Sequence, residues 1–161
     1  MVRFQLLDNP KKKKFIEKLG NLGVEKIPFL LLKPGQEKVM AYSGSLANVE
    51  LYTLWETINV ESIGLYFGKE FPDEARLSLD ALHVLKDQIK GNIVELNEEQ
   101  TKEWFLGKPA ILTQEQKEKY SEIKGFVAVK FHEDFIGTGK ISENREFISS
   151  FLPKERRVRS Q

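Results

Sequence analysis

The sequence predicts an α+β fold in two consecutive parts, residues 1–91 and 92–161. Three observations carry that reading. Apolar residues at helical spacing alternate with short β-type runs through the first part. Two capping-box patterns follow each other early in the second. Three β-type runs separated by turn residues then fill residues 126–152. With 161 residues and no Cys, the chain makes one average domain or two small ones, with a core that needs no disulfides.

Val2 to Leu7 alternates loosely and reads as a short strand. Asn9-Pro10 offers a helix an N-cap and a proline at its first position. Phe15, Ile16, Leu19 and Leu22 follow at helical spacing, with Gly20 and Gly23 available to end the helix. Ile27 to Lys33 reads as a buried strand, Pro34-Gly35 as a turn and Val39 to Tyr42 as the returning strand. Ser45 can cap a second helix, whose stripe of Leu46, Val49, Tyr52, Trp55 and Ile58 is expected in the core. Ile63 to Phe67 pairs with Ala75 to Leu79 across the Pro72-Asp73 turn. Asp80 then caps a helix that buries Leu82, Leu85 and Ile89. Gly91-Asn92 breaks the chain, and nothing near it is rich enough in Pro or Ser for a flexible linker. The two parts are expected to pack together.

In the second part Ile93 to Leu96 is a short strand. Asn97 and Gln100 stand at the cap and N3 positions of a helix that runs to Leu106 and stops at Gly107. Thr113 and Gln116 repeat that pattern for a very polar helix ending near Ile123. Strands follow at Phe126 to Phe131, Phe135 to Ile141 and Phe147 to Leu152. The turns between them are His132-Glu133-Asp134 and Glu143-Asn144. So small a sheet must close or cover its edges, which favours a small barrel.

Composition removes several functions. Without Cys there is no thiolate metal site and no thiol nucleophile. The longest apolar run, Ile27 to Leu32, is interrupted by Pro28 and is far short of the ~20 residues of a membrane span. The first residues lack the apolar stretch of a signal peptide, so a cytoplasmic setting is expected. Of the two His, His83 lies between Leu82 and Val84 in a helix and reads as structural. His132 sits in a turn beside Glu133 and Asp134, neighbours that cannot converge on one ion. No cofactor, metal or catalytic motif is expected, and no enzyme. Gly137-Thr138-Gly139 is flanked by strand, so it reads as a bulge or a close backbone approach and not as a helix-opening phosphate cradle.

Charge is uneven although the net charge is only +1. Lys11 to Lys14 read as a solvated helix face or a nucleic-acid footprint. Lys154, Arg156, Arg157 and Arg159 read as a charged tail or a second footprint. RNA binding needs cations for phosphates and backbone that a nucleotide can approach. The second part offers Lys108, Lys130, Lys140, Lys154, Arg156 and Arg157, with glycines at 107, 137 and 139.

The order of elements in this part carries a resemblance. It runs from Ile93-Val94-Glu95-Leu96 through the helix with Trp104 to Gly125-Phe126-Val127-Ala128-Val129-Lys130. Asp134-Phe135-Ile136-Gly137-Thr138-Gly139-Lys140 and Phe151-Leu152-Pro153-Lys154-Glu155-Arg156-Arg157 complete it. Together these segments resemble a PUA domain, closest to the PUA-like tail of Sun-type RNA cytosine-5 methyltransferases and small archaeal relatives. Ile63 to Lys69, with Arg76 to Leu79 and Ala81-Leu82, is similar to the segment preceding PUA in those proteins and in the Nip-family ribosome-biogenesis factor.

The resemblance implies an N-terminal α/β pre-PUA domain at 1–91 and a mixed β pseudobarrel at 92–161. It implies a non-catalytic protein binding structured RNA, rRNA or tRNA, beside an RNA-modifying enzyme or a ribosome-assembly factor. The implied RNA contacts are Lys108, Lys130, Gly137, Gly139, Lys140, Lys154, Arg156 and Arg157. Pro109 to Lys124 departs from the family pattern, being polar and longer than the usual connection. The alternative is a protein-interaction adaptor using the face around Tyr52 and Trp55.

Overall fold

A computed structural model describes residues 4–44, 48–57 and 64–159, with the side chains of 55–57 left out. Two five-stranded sheets organise the molecule. The first is an antiparallel meander in chain order: β1 (Gln5–Leu6), β2 (Leu30–Lys33), β3 (Lys38–Tyr42), β4 (Leu65–Glu70) and β5 (Ala75–Leu77). The helices α1 (Asn9–Glu17), α2 (Asn48–Thr57) and α3 (Leu79–Val84) belong to this part of the chain.

Two caps differ from the sequence reading. Asp8, not Asn9, caps α1, because Asp8 holds extended backbone and its carboxylate accepts from Lys11 N at 3.0 Å. Ser78, not Asp80, caps α3. Its hydroxyl accepts from Ala81 N at 3.0 Å and donates to the Tyr66 carbonyl at 2.8 Å, which also ties the helix to β4.

The α2 stripe is corrected too. Among the described side chains of this helix Leu51 is fully buried, whereas Val49 is 75% exposed. Tyr52 lies at the rim, stacked on Phe4 at 4.7 Å, its hydroxyl accepting from Leu6 N at 3.3 Å. Ser45, Leu46 and Ile58 lie outside the described residues, as does the side chain of Trp55.

The second sheet has the order β6 (Ile93–Glu95), β8 (Phe126–Phe131), β9 (Asp134–Ile141), β10 (Phe147–Ser150) and β7 (Ala110–Ile111). β6 runs parallel to β8, and the remaining neighbours are antiparallel. This sheet curls into half a barrel, so it is more open than the closed barrel expected. Helices α4 (Glu98–Phe105) and α5 (Gln114–Lys119) carry the two capping boxes foreseen, Asn97/Gln100 and Thr113/Gln116.

The same two glutamines bridge the edge strands. Gln100 Nε2 donates to the Ile111 carbonyl of β7 at 2.7 Å, and Gln116 Nε2 donates to the Glu95 carbonyl of β6 at 3.0 Å. Their amides also exchange hydrogen bonds at 2.7 and 2.9 Å. The polar segment 109–124 thus supplies an edge strand and half of a clasp.

Three cores result. Phe15, Leu19, Leu31, Phe67 and Leu82 fill the first, which also takes Ala128 and Phe135 from the second sheet. Trp104, Val94, Val129, Ile148 and Leu152 fill the second. Phe4, Leu32, Met40 and Leu51 form a small third. Polar links also join the two parts, among them buried Thr138 Oγ1, which donates to the Leu77 carbonyl at 2.7 Å, and His83 Nε2 of α3, which donates to the Phe135 carbonyl at 2.9 Å. The packing of the two parts on each other follows from this shared core.

Candidate nucleic-acid interface

α4 ends at Phe105 with Leu106 as its C-cap, and Gly107 turns the chain with φ of 83°, a backbone position that favours glycine. Behind it the chain returns from β10 through a single 3-10 turn, Lys154–Arg156. Val158 N donates to the Phe105 carbonyl at 2.7 Å, which seats this return beside the end of α4. The Arg157 side chain then lies on Gly107, where a Cβ would sit 2.7 Å from its Cδ and Nε. Arg157 Nε donates to the Leu152 carbonyl at 3.0 Å, and its other N–H groups remain available. Local turn chemistry therefore brings Lys108, Lys154, Arg156 and Arg157 into one neighbourhood.

Two of these cations hold carboxylates. Lys108 is 3.3 Å from Glu103, and Arg156 is 3.0 Å from Asp80. Both pairs are well exposed, and such pairs stabilise by about 0–1 kcal/mol, so a phosphate can displace either acid. Lys154 is exposed and makes no ion pair among the described residues.

The other expected contacts lie elsewhere. Lys130 and Lys140 sit at opposite ends of the β8–β9 hairpin, since Lys130 faces Phe135 while Lys140 faces Phe126. That separation is about 14 Å along the strand. Lys140 pairs with Glu74 at 2.9 Å and lies 4.9 Å from the Phe126 ring centroid. Lys130 lies 5.4 Å from the Phe135 ring centroid and lines a cavity of about 480 Å³ with His83, Lys86, Asp87 and Glu133.

Gly137 and Gly139 are buried, and the close approach they allow is made by Trp104. A Cβ would lie 3.0 Å from the indole at Gly137 and 3.1 Å from it at Gly139. Trp104 Nε1 donates to the Ile136 carbonyl at 2.9 Å, so the ring is fixed there. In this structure the two glycines serve the second core.

The first part contributes residues that sequence reading missed. Arg76 lies 4.1 Å from the Phe151 ring centroid and 5.8 Å from that of Phe126. No local signal marks it, because its ring partners are far along the chain. In the Lys11–Lys14 cluster, Lys12 is drawn inward, its ammonium donating to the Phe29 carbonyl at 2.7 Å, and burial lowers its pKa. Lys11, Lys13 and Lys14 stay exposed.

Glu70 sits between Lys18, at 3.0 Å, and Lys33. Burial would raise its pKa, but the hydrogen bonds from Lys33 and Lys18, with their charges, outweigh that and hold it below the ordinary value. His132 occupies the hairpin turn with φ of 53°, its ring against Phe131. Among the described residues no group of His, Asp and Glu is arranged to hold a metal ion. No described helix is long and apolar enough to cross a membrane.

A curled mixed sheet, with a helix after its first strand and a basic turn after its last, defines a PUA-like module. Residues 91–158 match the family model described as the methyltransferase RsmF PUA domain, which supports a PUA domain in this part of the chain and points to RNA binding in general. The match leaves the first sheet outside it. No curated protein matches the chain.

Proposed function

We propose that this is a non-catalytic RNA-binding factor whose PUA domain holds structured RNA, rRNA or tRNA, during modification, maturation or ribosome assembly. Residues 1–91 act as a pre-PUA platform, and an RNA-modifying enzyme or assembly factor is its partner in the cytoplasm. The observation that supports this best is the convergence of Lys108, Lys154, Arg156 and Arg157 at the end of α4. Lys140, with Arg76 beside it, extends the positive surface along β9, while Lys130 is a more distant contact. Binding led by phosphates releases counterions, so affinity for a bulk tRNA preparation falls steeply as salt rises. Retention that does not weaken with salt rejects the reading.

A second reading, the protein-interaction adaptor, is favoured by exposed Val49 and half-open Tyr52 on α2. Pull-down from native extract with and without nuclease separates the two. Partners lost with the RNA support RNA binding, and partners that survive nuclease support the adaptor.

A further inference from the structure

Three phenylalanines lie outside all three cores and meet where the two sheets join. Phe71, after β4, stacks on Phe126 at 5.9 Å, and Phe126 meets Phe151 edge-on at 5.8 Å. Arg76 covers part of Phe151, Lys140 approaches Phe126, and Phe151 remains 38% exposed. The buried bond from Thr138 to Leu77 holds β5 under β9, which is what aims Arg76 at rings from the other sheet. Beside these rings opens a cleft of about 300 Å³ lined by Lys18, Asn21, Asn92, Lys124 and Phe126 together with the carboxylates of Asp73 and Glu74, the second of them paired with Lys140. Asn92 is spent on the Lys124 and Phe126 carbonyls, both at 3.2 Å. The side chains of Asn21 and Lys124 have no hydrogen-bond or ion-pair partner among the described residues.

Open aromatic rings interleaved with cations are the chemistry that holds unpaired nucleotides: each base offers a π-face, and each phosphate takes a cation. A folded RNA helix cannot use such rings, because its bases are already stacked. Phe151 precedes Lys154 and Arg156 by three and five residues, which ties the ring's position to the basic turn. We propose that the junction of the two sheets is a second RNA subsite that stacks one or two unpaired nucleotides on Phe151 and Arg76. Lys124 and Lys140 take the neighbouring phosphates. This deepens the RNA-binding reading and rests on it.

The test compares one synthetic stem-loop RNA with and without a short single-stranded adenosine extension, placed at either end, by fluorescence anisotropy. On the intact chain the extension is expected to tighten binding about tenfold. Phe151→Ala should abolish that gain and leave the blunt stem-loop unchanged, while Phe151→Trp should restore it. Arg76→Ala should reduce the gain too, with an added loss for the blunt stem-loop because Arg76 is also part of the positive surface along β9. Equal affinity for both RNAs overturns the subsite, as does a Phe151→Ala loss that is the same for both, and each leaves RNA binding itself standing. Failure to bind either RNA overturns both, and capture of a protein partner by Phe151 in place of RNA overturns the subsite.

Discussion

The indole of Trp104 occupies the space that a side chain at Gly137 would need, with its Nε1 bonded to the carbonyl of the preceding residue, Ile136. Gly137 has φ of 152°, so a Cβ there meets both backbone strain and the ring. Gly139 is tighter, because a Cβ would come 2.3 Å from Ile148 Cγ2 and 2.7 Å from the Ser149 carbonyl. Alanine at either position should cost about 1–3 kcal/mol, the range for overpacked cores, with Gly139→Ala the more damaging. Urea unfolding followed by Trp fluorescence checks this. Unchanged midpoints would mean that Trp104 moves aside freely.

The glutamine clasp should behave as a unit. Gln100→Ala and Gln116→Ala each remove a cap contact and an edge-strand contact, and each strands the other amide. A double-mutant cycle should therefore give a coupling of about 1 kcal/mol. Strict additivity would show that the edges of the half barrel are held by other contacts.

Acid should act through Glu70. Its carboxylate is favoured in the folded state, so its folded pKa lies below the ordinary 4.5. The stability it contributes is complete above that value and is lost as pH falls through the folded pKa. Glu70→Gln should flatten the acid side of the stability curve while costing about 3 kcal/mol near neutrality, where Lys18 and Lys33 lose their partner. Chemical denaturation between pH 7 and pH 3 reads both effects, and an unchanged acid slope would move the titration to another group.

The cations near Gly107 should set the salt dependence of RNA binding. Lys108→Ala, Lys154→Ala and Arg156→Ala together should lower the slope of log K against log salt by about 2–3. Lys130→Ala, at the far end of the hairpin, should change it less. Filter binding across a salt series decides. An unaltered slope in the triple variant would place the phosphates elsewhere.

Local chemistry was readable from the sequence, and long-range packing was not. Both capping boxes stand where Asn97, Gln100, Thr113 and Gln116 predicted them, because a cap is decided within one turn of chain. The caps of α1 and α3 slipped by one and two residues, since Asp8 and Asn9, or Ser78 and Asp80, are all good capping types and backbone angles choose between them. Strand β7 is too short to carry a periodic signal. The glycines of β9 announced a close approach without saying what approaches, and Trp104 reaches them from another element. The cations were legible as a list, but the β8–β9 register sets Lys130 apart from Lys140. Arg76 was illegible because its partners come from the opposite half of the chain.

Ala128 and Phe135, although they belong to the second sheet, lie in the core of the first. Cutting the chain at Gly91 would therefore strip each fragment of part of its interior, and the segment resembling a known module would not survive as a transplant. Heat should melt the intact molecule in one calorimetric step, with both halves failing together. Whatever the first sheet does in the cell, it is also the scaffold on which its neighbour stands.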